Sequence, residues 1–312
     1  PPPPPPPPAF FSTPTTESAC RPGLVGAHRG IRDSLYWGYG QALFKTPNLD
    51  RLANGGIRFL QHYSGSTVCA PSRSTLMTGQ HTGHTFIRGN SERRLTLDDE
   101  GQYPLASKEL TIAEVLKGAG YKTGAFGKWG LGYPGSEGDP ISQGFDQFYG
   151  YNCQRVAHNY YPTHLWNNQT KENLKGNNGN TTESYAPELI HQKALSFIEE
   201  NKDYAFFMYY PSVIPHAELI APQEYMAKYR NQFLPEKKYV KKKGGYSVGG
   251  YNSQEESHAA FASMVNVLDD QIGEIFNKVH QLGIAENTLI IFYYGKNKKN
   301  TNESMQRNRF RN

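Results

Sequence analysis

The clearest pattern in the chain is the apolar run YAFFMYY, Tyr204 to Tyr210, which has no polar position inside it. Such a run predicts a strand buried on both faces. NTLIIFYY, Asn287 to Tyr294, reads the same way. Between and around these runs the period changes to that of helices. KTPNLDRLANGG (45–56) predicts a short helix, with Thr46 as N-cap, Pro47 at the first position and Gly55–Gly56 as the stop. LTIAEVLKGAG (110–120) carries a capping box, Thr111 to Glu114, and a glycine stop. APELIHQKALSFIEEN (186–201) is amphipathic and helical, and the stretch 255–283 is a long helix closed by Gly283. IRFLQHYSG (57–65) and YKTGAFGKW (121–129) read as strands. Residues 132–182, rich in Gly, Asn, Tyr and Pro, are expected to be long, ordered and irregular.

Strands that alternate with helices, and are apolar throughout, predict an α/β fold with a mostly parallel sheet covered by helices. Ligands of such sheets bind beyond the carboxyl ends of the strands. Cys69, Lys128 and His216 each follow a predicted strand. The chain opens with eight prolines, and residues 1–35 are expected to be disordered or foreign to the fold. Residues 36–294 form the expected domain and 295–312 a disordered lysine-rich tail.

Composition changes this picture little. The 312 residues are 37% hydrophobic and 20% charged, as in globular proteins. The formal charge of +5 comes largely from PEKKYVKKKGG (235–245) and the C-terminal tail, which read as solvated loops. No basic stripe marks a nucleic-acid face. Cys20, Cys69 and Cys153 have neither a C-x-x-C spacing nor an even count, against a disulfide framework or zinc site. The sequence shows no signal peptide and no apolar run long enough to span a membrane.

The candidate chemistry centres on CAPSRSTLMTG, starting at Cys69. An isolated cysteine is more often a buried, inert thiol. Here Pro71 and Ser72 look like a helix start, which places Cys69 near free backbone N–H groups, with Arg73 four residues on. That is an environment for an anion. The segment resembles the signature of type I sulfatases, Cys-x-Pro-Ser-Arg followed by Leu-x-Thr-Gly. The resemblance extends through TPNLDRLANGGIRF, TIAEVLKGAGYKTGAFGKWGLG, QGFDQFYGY, HNYYPTHLW, FFMYYPSVIPHAE and NTLIIF, in the family's usual order.

The resemblance implies an alkaline-phosphatase-like α/β/α sandwich, incomplete here, and a sulfuric ester hydrolase. It implies that a formylglycine-generating enzyme converts Cys69 to Cα-formylglycine, whose hydrate attacks sulfur. It also implies a calcium ion, a sulfated small molecule or glycan as substrate, and an exported compartment (periplasmic, extracellular or lysosomal). On this mapping Arg73 holds the nucleophile, while Lys128 and His216 contact the sulfate, His216 being a candidate proton donor to the leaving group. Taken singly, Lys128 reads as a surface lysine and His216 as a core histidine. His158 and Asn159 are candidates to line the substrate pocket.

Three departures accompany the likeness. Gly130, in KWGLG, stands where the family commonly has a histidine. No apolar strand ending in Asp-Asp precedes Tyr36, and YYGKNKKN stands where the family has Asp and Asn calcium ligands after NTLIIF. Position 69, as formylglycine, is then the one metal ligand left on the mapping. Asp269 and Asp270 sit mid-helix, diverge by about 100° and read as surface residues. Abrupt breaks at both ends suggest truncation or a frameshift, and leave open a binding protein without turnover or a fragment without function.

Overall fold

The computed structural model describes residues 9–12, 43–59, 62, 64–92, 100–178, 181–240 and 251–293. Its strands are β1 (Ala9–Ser12), β2 (Lys122–Lys128), β3 (Gln147–Tyr151), β4 (His164–Asn167), β5 (Thr170–Asn173), β6 (Phe206–Tyr210) and β7 (Leu289–Phe292). Its helices are α1 (Pro47–Asn54), α2 (Cys69–Thr78), α3 (Ile112–Gly118), α4 (Ala186–Glu200), α5 (Gln223–Tyr229) and α6 (Ser257–Gln281). The strands form one sheet in the order β5-β4-β3-β2-β6-β1-β7. From β3 to β7 all pairings are parallel; β4 and β5 add an antiparallel hairpin at the other edge.

β6 shows why an uninterrupted apolar run suits the centre of such a sheet. Phe206, Met208 and Tyr210 point into a core shared with α4 and α6, and Phe207 and Tyr209 into a second core shared with α2 and α3. Burying a phenylalanine in this way contributes about 2 kcal/mol. The capping box of α3 forms as expected: Glu114 N–H donates to Thr111 Oγ1 (3.2 Å) and Thr111 N–H to Glu114 Oε2 (2.8 Å). α6 ends before Gly283, at φ 71°.

Several expectations need correction. Ala9–Ser12 is not outside the fold: it is a sheet strand, paired in parallel with β6 on one side and β7 on the other. The neighbouring strands supply its hydrogen bonds, so the preceding prolines do not prevent it. The rest of 1–35 and the tail 295–312 lie outside the described residues. Ile57–Phe59 is not a strand; Ile57 is 83% and Phe59 70% exposed. Residues 132–182 are not irregular throughout, since they contain β3, β4 and β5. β7 is an edge strand and only half-buried.

Asp269 is not a surface residue. It is fully buried in α6 and accepts hydrogen bonds from Asn48 N–H (3.1 Å), Asn48 Nδ2 (3.1 Å) and Leu49 N–H (2.8 Å). It thus caps the start of α1, where the Thr46 side chain makes no cap bond. Burial pushes its carboxyl above the usual value, and the Leu49 and Asn48 bonds oppose that.

Candidate functional site

α2 begins at Cys69, directly after an extended Val68, and not directly after a strand. Pro71 fits its first turn, where no intrahelical N–H is required. Ala70 N–H is met by Asn90 Oδ1 at 2.9 Å, so a side chain twenty residues on supplies the missing cap. Gly79, at φ 68°, closes the helix. Buried hydroxyls fix its sides: Ser72 on Ser64 (2.8 Å) and Ser74 on Thr85 (2.7 Å).

Lys128 is the last residue of β2, and its N–H donates to Pro211 O just past β6 (2.9 Å). Its carbonyl accepts Arg73 Nη1 at 2.6 Å, and the same nitrogen donates to Tyr209 Oη at 3.0 Å. Gly127 permits this tight joint, because a Cβ there would lie 2.3 Å from Pro211 O. Cys69, Arg73 and Lys128 are thereby brought together, all buried, from α2 and β2. The Lys128 side chain is 1% exposed, and its Nζ finds no oxygen or nitrogen acceptor among the described residues, only the neighbouring Cys69 thiol. Burial pushes its pKa down; the Cys69 thiol beside it pulls it back up, and the Arg73 guanidinium lowers it further. Cys153, from the loop after β3, is a further neighbour whose thiol is pushed up by burial.

His216 and His158 form a second group at the same end of the sheet. Their rings stack at 4.7 Å and 7°, and Tyr251 packs edge-on against both. His216 Nδ1 bonds the Ala217 carbonyl. Tyr160 Oη donates to the carbonyls of Val213 and His216, 2.8 Å from each, and so fixes the loop after β6. Asn159 is committed locally: Oδ1 accepts Tyr161 N–H (2.9 Å) and its carbonyl accepts Tyr151 Oη (2.8 Å).

Three polar residues here went unnoticed in the sequence: Asn90, Asn152 and Gln154. Only Gly130 signalled one of them. It sits at φ 77°, and a Cβ there would lie 1.7 Å from Gln154 Nε2, so a larger residue would displace that amide. No group of three or more His, Cys, Asp or Glu side chains suited to a metal occurs among the described residues. Nor is any described helix long and apolar enough to cross a membrane.

An arrangement of two buried cations against a thiol at a helix start can hold a tetrahedral anion and stabilise charge developing on it. The family model for Sulfatase matches residues 31–304. N-acetylgalactosamine-6-sulfatase of Rattus norvegicus is 28% identical over 283 residues, covering 84% of this chain and 48% of that protein. The arylsulfatase of Hemicentrotus pulcherrimus is 30% identical over 287 residues, covering 86% and 45%. The chain thus spans about half the length of these curated relatives. Among solved structures, Ps i-CgsB in complex with k-i-k-neocarrahexaose has a TM-score of 0.66 at 22% identity, covering 92% of this chain and 58% of that one. That likeness is one of fold.

Proposed function

Since the chain belongs to the sulfatase family, a family of sulfuric ester hydrolases, we propose that Cys69, Arg73 and Lys128 bind the sulfate group of a sulfate monoester for cleavage. The observation that carries this reading is Lys128, buried with its amine against the Cys69 thiol and the Arg73 guanidinium and with no carboxylate among its neighbours on the described residues. A buried cation is costly unless an anion completes it. Converted to Cα-formylglycine by a formylglycine-generating enzyme, position 69 would supply a hydrated aldehyde, a two-oxygen nucleophile toward sulfur.

Within this proposal the chain's own residues have distinct tasks. Lys128 neutralises the sulfate oxygens. Arg73, anchored by Nη1 on Lys128 O and Tyr209 Oη, keeps its Nε for the residue at 69 or the anion. His216, held by Tyr160 and stacked on His158, is the candidate proton donor to the leaving alcohol. His158 forms the wall behind it, with Asn159 bracing the turn. A calcium ion wants six to eight oxygen ligands, several of them carboxylates. The described residues do not fit it, and no step is routed through it.

The substrate class we infer is a sulfated glycan, supported by a relative acting on N-acetylgalactosamine 6-sulfate by its name and by a fold neighbour solved with an oligosaccharide. An exported compartment accords with that substrate. The test is calorimetric binding of inorganic sulfate to the full chain and to Lys128→Met. The wild type binds and the variant loses at least tenfold in affinity; equal affinity overturns the reading. Mass spectrometry of the peptide holding Cys69, after coexpression with the generating enzyme, reports the conversion directly.

A further inference from the structure

Two residues beyond Lys128, Gly130 at φ 77° leaves a space that the Gln154 amide fills. Gln154 is 3% exposed and locked from several sides. Its backbone N–H donates to Gln102 Oε1 (3.2 Å), and Gln102 Nε2 in turn donates to Ser91 O (2.9 Å). Gly130 O accepts Gln154 Nε2 at 3.4 Å. A carbonyl can only accept, so the NH2 end must face Gly130 and the oxygen must face away. That oxygen, Oε1, is buried and has no hydrogen-bond partner among the described residues. Asn152, fully buried in the same loop after β3, has neither amide atom partnered among them. By contrast Asn177, equally internal, makes bonds through both ends of its amide, to the carbonyls of Pro162 and Ser184 and the N–H groups of Glu183 and Ser184. Buried amides are ordinarily satisfied in this way.

The unsatisfied acceptor therefore stands near Lys128 in the fold: Lys128 pairs with Tyr151, the last residue of β3, and Gln154 lies three residues further on, in the loop that meets Gly130. Cys153, the residue between Asn152 and Gln154, is an electrostatic neighbour of Lys128. We propose that Gln154 reads the substrate: Oε1 accepts a hydroxyl or amide N–H from the ring that carries the sulfate. This rests on the sulfate-ester reading and deepens it, since it selects a hydroxylated sugar sulfate over a plain aryl sulfate. Sites built to hydrogen-bond a substrate hydroxyl discriminate against ligands that lack one.

The test uses the full chain, with galactose 6-sulfate and inorganic sulfate as probes in calorimetry. Gln154→Met keeps the volume and the apolar contacts, and its thermal midpoint checks that the fold is kept; Gln154→Leu is the second variant. Both should weaken galactose 6-sulfate about tenfold, the worth of one buried hydrogen bond, and leave inorganic sulfate unchanged. An equal loss for both probes overturns the proposal and makes Gln154 part of the anion site. No loss for either also overturns it, and makes water the partner of Oε1. The sulfate reading fails separately, if Lys128→Met keeps its affinity for inorganic sulfate.

Discussion

Asp269 and Lys128 are both buried charges, and the protein treats them in opposite ways. Asp269 receives three hydrogen bonds that cap α1. Lys128 Nζ, a donor, has no oxygen or nitrogen acceptor among the described residues and faces only the Cys69 thiol, although its carbonyl and N–H are both used. A charge that has its partners inside the fold is part of the scaffold. A charge held ready without them is costly to stability, and its partner is to be sought in a ligand.

Mutation should separate the two. Asp269→Ala leaves the start of α1 with uncapped, buried N–H groups and should cost about 3 kcal/mol, lowering the thermal midpoint by about 8 °C, with sulfate affinity of the folded fraction unchanged. Should Asp269→Ala instead abolish sulfate binding while keeping its midpoint, the contrast would be broken. Lys128→Met should do the reverse, gaining about 1 kcal/mol while anion binding disappears. Thr111→Ala, removing the capping box of α3 far from either charge, should cost about 1 kcal/mol by denaturant titration and leave binding untouched.

The smallest effect is in the pH dependence. Burial holds Lys128 below its usual value, so the unfolded chain binds this proton more tightly than the folded one. The stability deficit from this group is therefore fully present below the folded-state pKa and shrinks as pH rises toward about 10.4, where the unfolded lysine also deprotonates. Denaturant titrations from about pH 7 to 10 should show the wild type gaining on Lys128→Met. Sulfate affinity should fall over the same range, because the anion needs the protonated form.

What was legible in the sequence was local or periodic. The run at Phe206–Tyr210, the box at Thr111–Glu114 and the stop at Gly283 each carry their signal within a few residues, and each formed. That Cys69, Arg73 and Lys128 lie together was expected through a motif, and the structure brings them side by side. What was hidden acts across distance. Asp269 serves a helix more than two hundred residues away, so its helical position reads as solvent-facing. Ala9–Ser12 has no strand signal of its own beside eight prolines; its neighbours make it one. Ile57–Phe59 has the opposite character, a strand-like composition with no strand pairing. Gln154 was marked only indirectly, by the absence of a side chain at Gly130.

The placement of β1 has a consequence for the order of assembly. Ala9 is paired with Phe207 on one side and Leu289 on the other, so the earliest of the described strands is flanked by the two latest. During synthesis it must wait, unpaired, until Phe206–Tyr210 and Leu289–Phe292 have left the ribosome. β2 and β3, separated only by a loop, can meet long before. Pairings of such high sequence separation are slow to form and expose the chain to misassembly meanwhile. The seam along β1 is therefore where we expect this sheet to close last, and where a chaperone would have the longest time to act.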